Sequence, residues 1–289
     1  MLRITELKLA PDHTDAALLA AAAQVLGLRP SAVSGLIVRR RGYDARGGVV
    51  RFVYSVDVTV ANEAAALARG DRRIRPTPDE THRYPVQATS PPNVRPVVIG
   101  AGPCGLFAAF ALAEMGLRPL VLERGREVRQ RTQDVWGFWR RRTLLPGSNV
   151  QFGEGGAGTF SDGKLYSGVK DRGHHGRKVK QVLVDSGAPP EIRTLSKPHV
   201  GTLRLVGVVE NLRHRIESMG GEYRFETQVT DLEIEDGQLR ALVLNGEERL
   251  PCTHAVLAIG HSARDTFEAL VDRGVPVERK PFSVGFRIE

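Results

Sequence analysis

Nine consecutive residues, Val97-Val98-Ile99-Gly100-Ala101-Gly102-Pro103-Cys104-Gly105, constrain this chain more than any other stretch. A short apolar run enters a G-x-G-x-x-G turn. A helical pattern follows, with Leu106, Phe107, Phe110, Leu112 and Met115 placed to face a sheet, and Gly116 closes it. A second apolar run, Leu120-Val121-Leu122, then ends on Glu123, 18 residues after Gly105. This is the order strand, glycine turn, helix, strand, carboxylate, and it suits the ADP half of a dinucleotide. Gly100 permits the sharp exit from the strand, Gly102 lets backbone approach a pyrophosphate, and Gly105 lets the helix pack close to the sheet. The first N–H groups of the helix face the phosphate oxygens, where the helix dipole favours negative charge. Glu123 stands where an acid accepts ribose hydroxyls, and a second anion there disfavours a 2′-phosphorylated cofactor.

A second glycine cluster lies further on. Residues 149–165 carry five glycines among seventeen positions, together with Phe152 and Phe160. Such backbone presents consecutive N–H groups to an anion. Two aromatics inside it argue against a solvated loop.

The flanking sequence reads as separate bodies. Residues 1–70 have the order β-α-β-β-α: Leu2 to Leu9 alternates as a strand, Thr14 caps a helix to about Leu26, and two strand-like runs surround the turn at Arg46-Gly47-Gly48. That order makes a small α+β sandwich and admits a ferredoxin-like arrangement. Residues 71–95, with five prolines, read as a linker. Residues 96–168 form the first part of the nucleotide domain and 169–200 an inserted, partly helical segment on the substrate side. Residues 201–262 return to the nucleotide domain, with short strands at Tyr223–Thr227, Val229–Glu235 and Leu239–Leu244 and a hairpin at Asp236-Gly237. Residues 263–289 begin a substrate domain.

The net charge is +8 over 289 residues. Its arginines are scattered, apart from Arg39-Arg40-Arg41, Arg72-Arg73 and Arg140-Arg141-Arg142. The last lies beside Trp136, Phe138 and Trp139, which could stack on bases. A solvated, arginine-biased surface is the preferred reading, so nucleic acid is disfavoured as a partner. Cys104 and Cys252 form neither a C-x-x-C pair nor a disulfide framework, which suits a reducing compartment. The N-terminus lacks a signal-peptide core and no apolar run spans a bilayer, so the sequence points to a cytoplasmic protein away from membranes. His174 and His175 have no partners at metal-ligand spacing, and no metal site is expected.

The separated pieces occur in one order: the G-x-G-x-x-G unit, Glu123, the Gly155–Gly158 loop, a β-meander beginning near Thr227-Gln228-Val229, and Leu257-Ala258-Ile259-Gly260. That order resembles the FAD-binding fold of glutathione-reductase-like flavoproteins, an α/β Rossmann-like domain with a meander. More narrowly, Phe152 to Leu165, Pro198-His199-Val200-Gly201-Thr202 and Gly260-His261-Ser262-Ala263-Arg264-Asp265-Thr266 resemble bacterial FAD-dependent dehydrogenases. The resemblance implies FAD as cofactor and hydride transfer through the flavin N5 between an unknown small-molecule substrate and an unknown acceptor, with transient NAD(P)H binding allowed. It implies that Gly100, Gly102, Cys104 and Gly105 hold the pyrophosphate and that Glu123, with Arg124 and Gly125 beside it, holds the adenosine ribose. It further implies that Gly155, Gly156, Ala157 and Gly158 line the flavin side and that Ser161, Asp162 and Lys164 lie toward the ribityl chain or ring. Val229 would meet the adenine, and Ala258 and Gly260 would allow close approach. Lys164 and His261 are the candidates for catalytic roles, Lys164 as a cation near the ring and His261 as a proton carrier. Cys104 reads as a small packing residue. The full family continues beyond Phe282–Glu289, so a C-terminal truncation is expected. An NAD-dependent dehydrogenase, an RNA-associated flavoprotein and a non-catalytic nucleotide-binding module are the alternatives.

Overall fold

The computed structural model describes residues 1–161, 163–166, 168, 169, 171, 173–281 and 285. The chain divides into two compact units, Met1–Tyr84 with Ser161–Val208, and Pro85–Phe160 with Val209–Glu289.

The first unit opens with β1 (Leu2–Leu9), α1 (Asp15–Leu26), β2 (Val33–Asp44), β3 (Arg51–Val60), α2 (Glu63–Ala68) and β4 (Ile74–Pro76). The four strands form one antiparallel sheet in the order β2-β3-β1-β4. This is the split βαβ pattern of ferredoxin-like folds. Helix α1 starts where Thr14 Oγ1 accepts from the Ala17 N–H at 3.3 Å and ends at Gly27, whose φ of 69° closes the last turn. Its buried face, Leu18, Ala22, Ala23 and Leu26, packs with Leu2, Ile4, Val56 and Val58 of the central strands. β4 falls in the stretch expected to be linker. It pairs with β1 from Leu2↔Pro76 to Ile4↔Ile74, and its proline is tolerated because the strand lies at the sheet edge.

The second unit contributes β5 (Val97–Ile99), α3 (Pro103–Glu114), β6 (Leu120–Leu122) and α4 (Val128–Arg141). Residues 161–208 then return to the first unit and add α5 (His175–Asp185) and the opening turns of α6 (Thr202–Ser218). Arg41 donates its N–H to the Thr194 carbonyl at 2.7 Å, and Ser196 donates back to the Arg41 carbonyl at 3.0 Å, so this segment extends the first unit's hydrogen bonding. From Val209 onward the second unit resumes with β7 (Glu222–Arg224), β8 (Val229–Glu235), β9 (Gln238–Leu244), β10 (Glu248–Pro251), β11 (Ala255–Leu257) and α7 (Arg264–Asp272).

β11, β5, β6 and β7 form a parallel sheet in that order. β8, β9 and β10 form a separate antiparallel meander. The run at Tyr223–Thr227, read as a strand beside the meander pair, thus supplies the outer strand of the parallel sheet, and the meander takes its third strand from Glu248–Pro251. Val97, Ile99, Leu120 and Leu122 share one core with Val229, Leu232, Leu242, Leu244 and Leu270, which ties meander and sheet together. The fold is α/β and Rossmann-like. The stretch Phe282–Glu289, on which the expectation of truncation rests, lies outside the described residues apart from Gly285.

Candidate functional site

The chain steps from β5 to β6 to β7 on one side of β5, then returns to β11 on the other side. Open α/β sheets bind ligands outside the carboxyl ends of their strands at such a reversal. Here Ile99, Leu122 and Leu257, the last residues of β5, β6 and β11, line a cavity of about 500 Å³.

The first glycine turn forms its floor. Gly100 has φ 102°, and a Cβ there would stand 2.5 Å from the Ala258 carbonyl oxygen. Gly102 is the N-cap of α3, Pro103 takes the first helical position, and neither a side-chain cap nor an acid occupies the first turn. The leading N–H groups of α3 therefore face the cavity uncapped by any side chain. Cys104 lines the cavity and is exposed, rather than packed as the sequence suggested.

The second glycine turn lies against the first. The Gly155 N–H donates to the Ala101 carbonyl at 2.8 Å. A Cβ on Gly156 would come within 3.0 Å of Gly102 Cα, so backbone meets backbone where any side chain would separate them. Gly153, Gly156, Ala157 and Gly158 line the cavity, whereas Gly155 sits behind it. Gly105 and Gly125 also support from behind. A Cβ on Gly105 would fall 1.8 Å from the Gly100 carbonyl oxygen, and one on Gly125 would fall 2.6 Å from Gly153 Cα.

Buried charges hold these turns. Glu123 is 4% exposed. Its Oε2 accepts from the Ala101 N–H at 2.7 Å, and its Oε1 accepts from Gly125 at 2.9 Å and Gly153 at 3.0 Å. One carboxylate thus joins both turns. Arg131, on α4, is fully buried. It donates to the carbonyls of Asn149 and Val150 at 2.9 Å, of Glu154 at 2.7 Å and of Gly156 at 2.9 Å. Burial lowers its pKa to about 10 against the pull of Glu123 and Glu154, so it remains a cation at neutral pH. Glu154, also fully buried, accepts from the Val128 N–H at 2.7 Å and from Arg213 Nε at 2.9 Å. Burial pushes its carboxyl above the usual range in spite of Arg213. Arg131 and Glu154 were not singled out from sequence. The available signal was a cation inside an apolar helical stripe, Val128, Arg131 and Val135, all buried on α4.

Arg124 lines the cavity, but its guanidinium is engaged. It donates to both oxygens of Asp265 at 3.0 Å and to Thr266 Oγ1 at 3.1 Å, and it lies 4.5 Å from the Phe152 ring centre. Gln228 also donates to Asp265, at 2.7 Å. Asp265 therefore fastens the start of α7 to the end of β6. Val229, Ala258, Gly260 and His261 line the cavity, together with Phe267 and Leu270 from α7.

Ser161 and Lys164 belong to the first unit, and the cavity of the second unit is lined without them. Lys164 instead lines a smaller cavity of about 260 Å³ with Tyr166, Lys197, Pro198 and His199. Asp162 lies outside the described residues. Among the described residues, no group of three His, Cys, Asp or Glu side chains could hold a metal ion, and no helix is long and apolar enough to cross a membrane.

Residues 1–59 match a domain of unknown function (DUF8436), and residues 98–141 match an NAD(P)-binding Rossmann-like domain. A protein of Clostridium beijerinckii, described as an uncharacterized protein, is 42% identical over 266 residues, which are 91% of this chain and 49% of that protein. The chain thus spans about half the length of this relative. Among solved structures, it is similar to Thermovibrio ammonificans THI4, with a TM-score of 0.41 and 16% identity over 63% of this chain and 64% of that one. It is also similar to OTEMO in complex with FAD and NADP, with a TM-score of 0.36 and 18% identity over 58% and 26% of the two chains. For an L-amino acid deaminase from Proteus vulgaris the TM-score is 0.39 and the identity 12%, over 61% and 55%.

Proposed function

We propose that the chain binds FAD and serves an FAD-dependent oxidoreductase acting on an unidentified small molecule. The observation that carries this reading is the contact between the two glycine turns at the carboxyl ends of β5 and β11. A dinucleotide domain needs the first turn, but here a second turn closes on it backbone to backbone and brings Ala157, whose N–H has no acceptor among the described residues, to the cavity wall beside it. The site also suits the group in size and polarity. Ligand sites of roughly 300–1,000 Å³ with few polar anchors are typical, and the cavity of about 500 Å³ has apolar walls at Ile99, Leu122, Val229 and Leu270.

The leading N–H groups of α3, with the Ala157 N–H of the second turn, would hold the diphosphate. Glu123 retains accepting capacity on Oε2 for a ribose hydroxyl beside its bond to Ala101. Val229 and Leu270 offer an apolar seat for the adenine. Flavin, when bound, supplies the redox chemistry. His261 lines the cavity after Gly260 and would carry a proton in this reading; Lys164 takes no part in it.

The test is direct. The protein is purified and denatured, its supernatant is chromatographed, and the refolded chain is titrated with FAD and with NAD. FAD is expected in the supernatant or as the tighter ligand. Recovery of NAD, tighter binding of NAD, or binding of neither would overturn the proposal.

A further inference from the structure

We propose that Arg131, which does not line the cavity itself, is the residue that aims the Ala157 N–H of the second turn at the diphosphate, acting through the peptide plane it holds from behind. This inference rests on the dinucleotide reading above. In a trans peptide the C=O and the N–H of the following residue lie in one plane and point to opposite edges. Whatever grips the carbonyl therefore fixes the direction of the next N–H.

Two of the four carbonyls bonded by Arg131 belong to the second turn. Arg131 Nη1 donates to the Glu154 carbonyl at 2.7 Å, and the N–H across that plane, Gly155, reaches the Ala101 carbonyl of the first turn at 2.8 Å. The same nitrogen donates to the Gly156 carbonyl at 2.9 Å. The N–H across that second plane belongs to Ala157, which lines the cavity and has no acceptor among the described residues. The Gly155 plane shows the device with both ends filled, and the Ala157 plane shows it with one end toward the cavity.

The chemistry favours an anion at that end. A charge-assisted bond on the carbonyl polarises the peptide and strengthens the donor on its far edge. A fully buried guanidinium thus projects positive character into the cavity without entering it. Arginine is required because its planar fork reaches four carbonyls at once, whereas a lysine ammonium is a point donor. Asn149 and Val150, the other two acceptors, anchor the fork from the approach to the turn.

The experiment measures dissociation constants for ADP and adenosine on the native chain and on Arg131→Lys, Arg131→Gln and Ala157→Pro. Proline replaces the Ala157 N–H with a ring methylene, at the first position of the 3-10 turn Ala157–Phe160, where a missing N–H is tolerated. Loss of a charge-assisted bond should weaken ADP by about tenfold or more in Arg131→Gln and Ala157→Pro, with adenosine unchanged in both and Arg131→Lys intermediate. The double variant should lose no more than either single one. Equal losses for ADP and adenosine would mark Arg131 as merely structural and overturn the inference, as would an unchanged ADP-to-adenosine ratio in Ala157→Pro, a result that holds even if Arg131→Gln fails to fold. A native chain that binds neither probe would instead sink the dinucleotide reading itself, and this inference with it.

Discussion

Gly102 and Gly105 stand three positions apart in one motif and answer to different constraints. A Cβ on Gly105 would collide with the Gly100 carbonyl oxygen at 1.8 Å, and backbone cannot step aside as a flexible side chain can. Gly105→Ala should push α3 off the sheet and destabilise the second unit by about 2–3 kcal/mol. Gly102 has φ −72°, open to any residue, and the nearest atom to its added Cβ is Gly156 Cα at 3.7 Å. Gly102→Ala should change stability by no more than about 0.5 kcal/mol. Its methyl would nevertheless stand between the two turns, so bound FAD should fall sharply. Denaturant unfolding together with flavin content per chain separates the two effects; equal destabilisation by both substitutions would contradict the assignment. At this scale Gly102, Glu123 and Gly260, named from sequence, line the cavity while Gly155, Ser161 and Lys164 do not, and sequence did not report what any of them faces. Glu123 was legible as an acid at a strand end. That its two oxygens take one backbone N–H from each turn and a third from Gly125 was not, because spacing along the chain does not report which amides converge in space. Arg131 was overlooked since arginine on a helix ordinarily faces solvent.

Asp57 organises the sheet of the first unit as Glu123 does the turns of the second. It sits on β3, fully buried, opposite Arg3 of β1. It accepts from Arg3 Nε at 2.7 Å and from Arg39 Nε of β2 at 2.5 Å, so one carboxylate joins three strands. Burial pushes its pKa up, but the two guanidiniums outweigh burial and hold it below the usual aspartate range. A depressed folded pKa gives stability that is present above the unfolded value, about 3.9, and is lost as pH falls through the folded value. Asp57→Asn should cost about 3 kcal/mol at neutral pH, since it removes the fully buried partner of two part-buried cations and leaves them Glu80 alone. It should also flatten the acid side of the stability profile. Denaturant titrations from neutral pH down to below the aspartate range measure both, and an unaltered acid slope would count against Asp57 as the responsible group. The β-α-β-β-α order of this unit was readable from alternation and caps. β4 was not, because three residues ending in proline carry no period. The return of residues 161–208 to this unit was hidden for a different reason. Its links, such as Arg41 with Thr194 and Ser196, join positions more than 150 residues apart, beyond any local pattern.

Charge and fluorescence act across the whole molecule. The excess of +8 resembles the footprint of a nucleic-acid binder, yet each arginine cluster has a member engaged within the fold. Arg39 pairs with Asp57 and Arg73 with Asp71, while Arg140 lies 4.5 Å over the Trp136 ring. Paired cations release few counterions on meeting phosphate, so RNA should not be retained at low ionic strength; a salt-sensitive mobility shift would refute this. The fold class was legible at this scale because one motif and its flanks specify a complete strand-turn-helix-strand unit, whereas the substrate leaves no such local imprint. The chain's only two tryptophans, Trp136 and Trp139, both lie on α4 in the second unit. Trp139 packs edge-on against Phe160 with ring centres 6.2 Å apart, at the end of the second glycine turn. Tryptophan emission therefore follows the unit that carries the cavity. A ligand bound only by the folded state at a hundred times its dissociation constant stabilises by about 2.7 kcal/mol. ADP at that excess should raise the tryptophan-monitored unfolding midpoint accordingly, and inorganic phosphate at the same concentration should not. A midpoint that stays fixed under saturating ADP would mean that the paired turns do not form a nucleotide site.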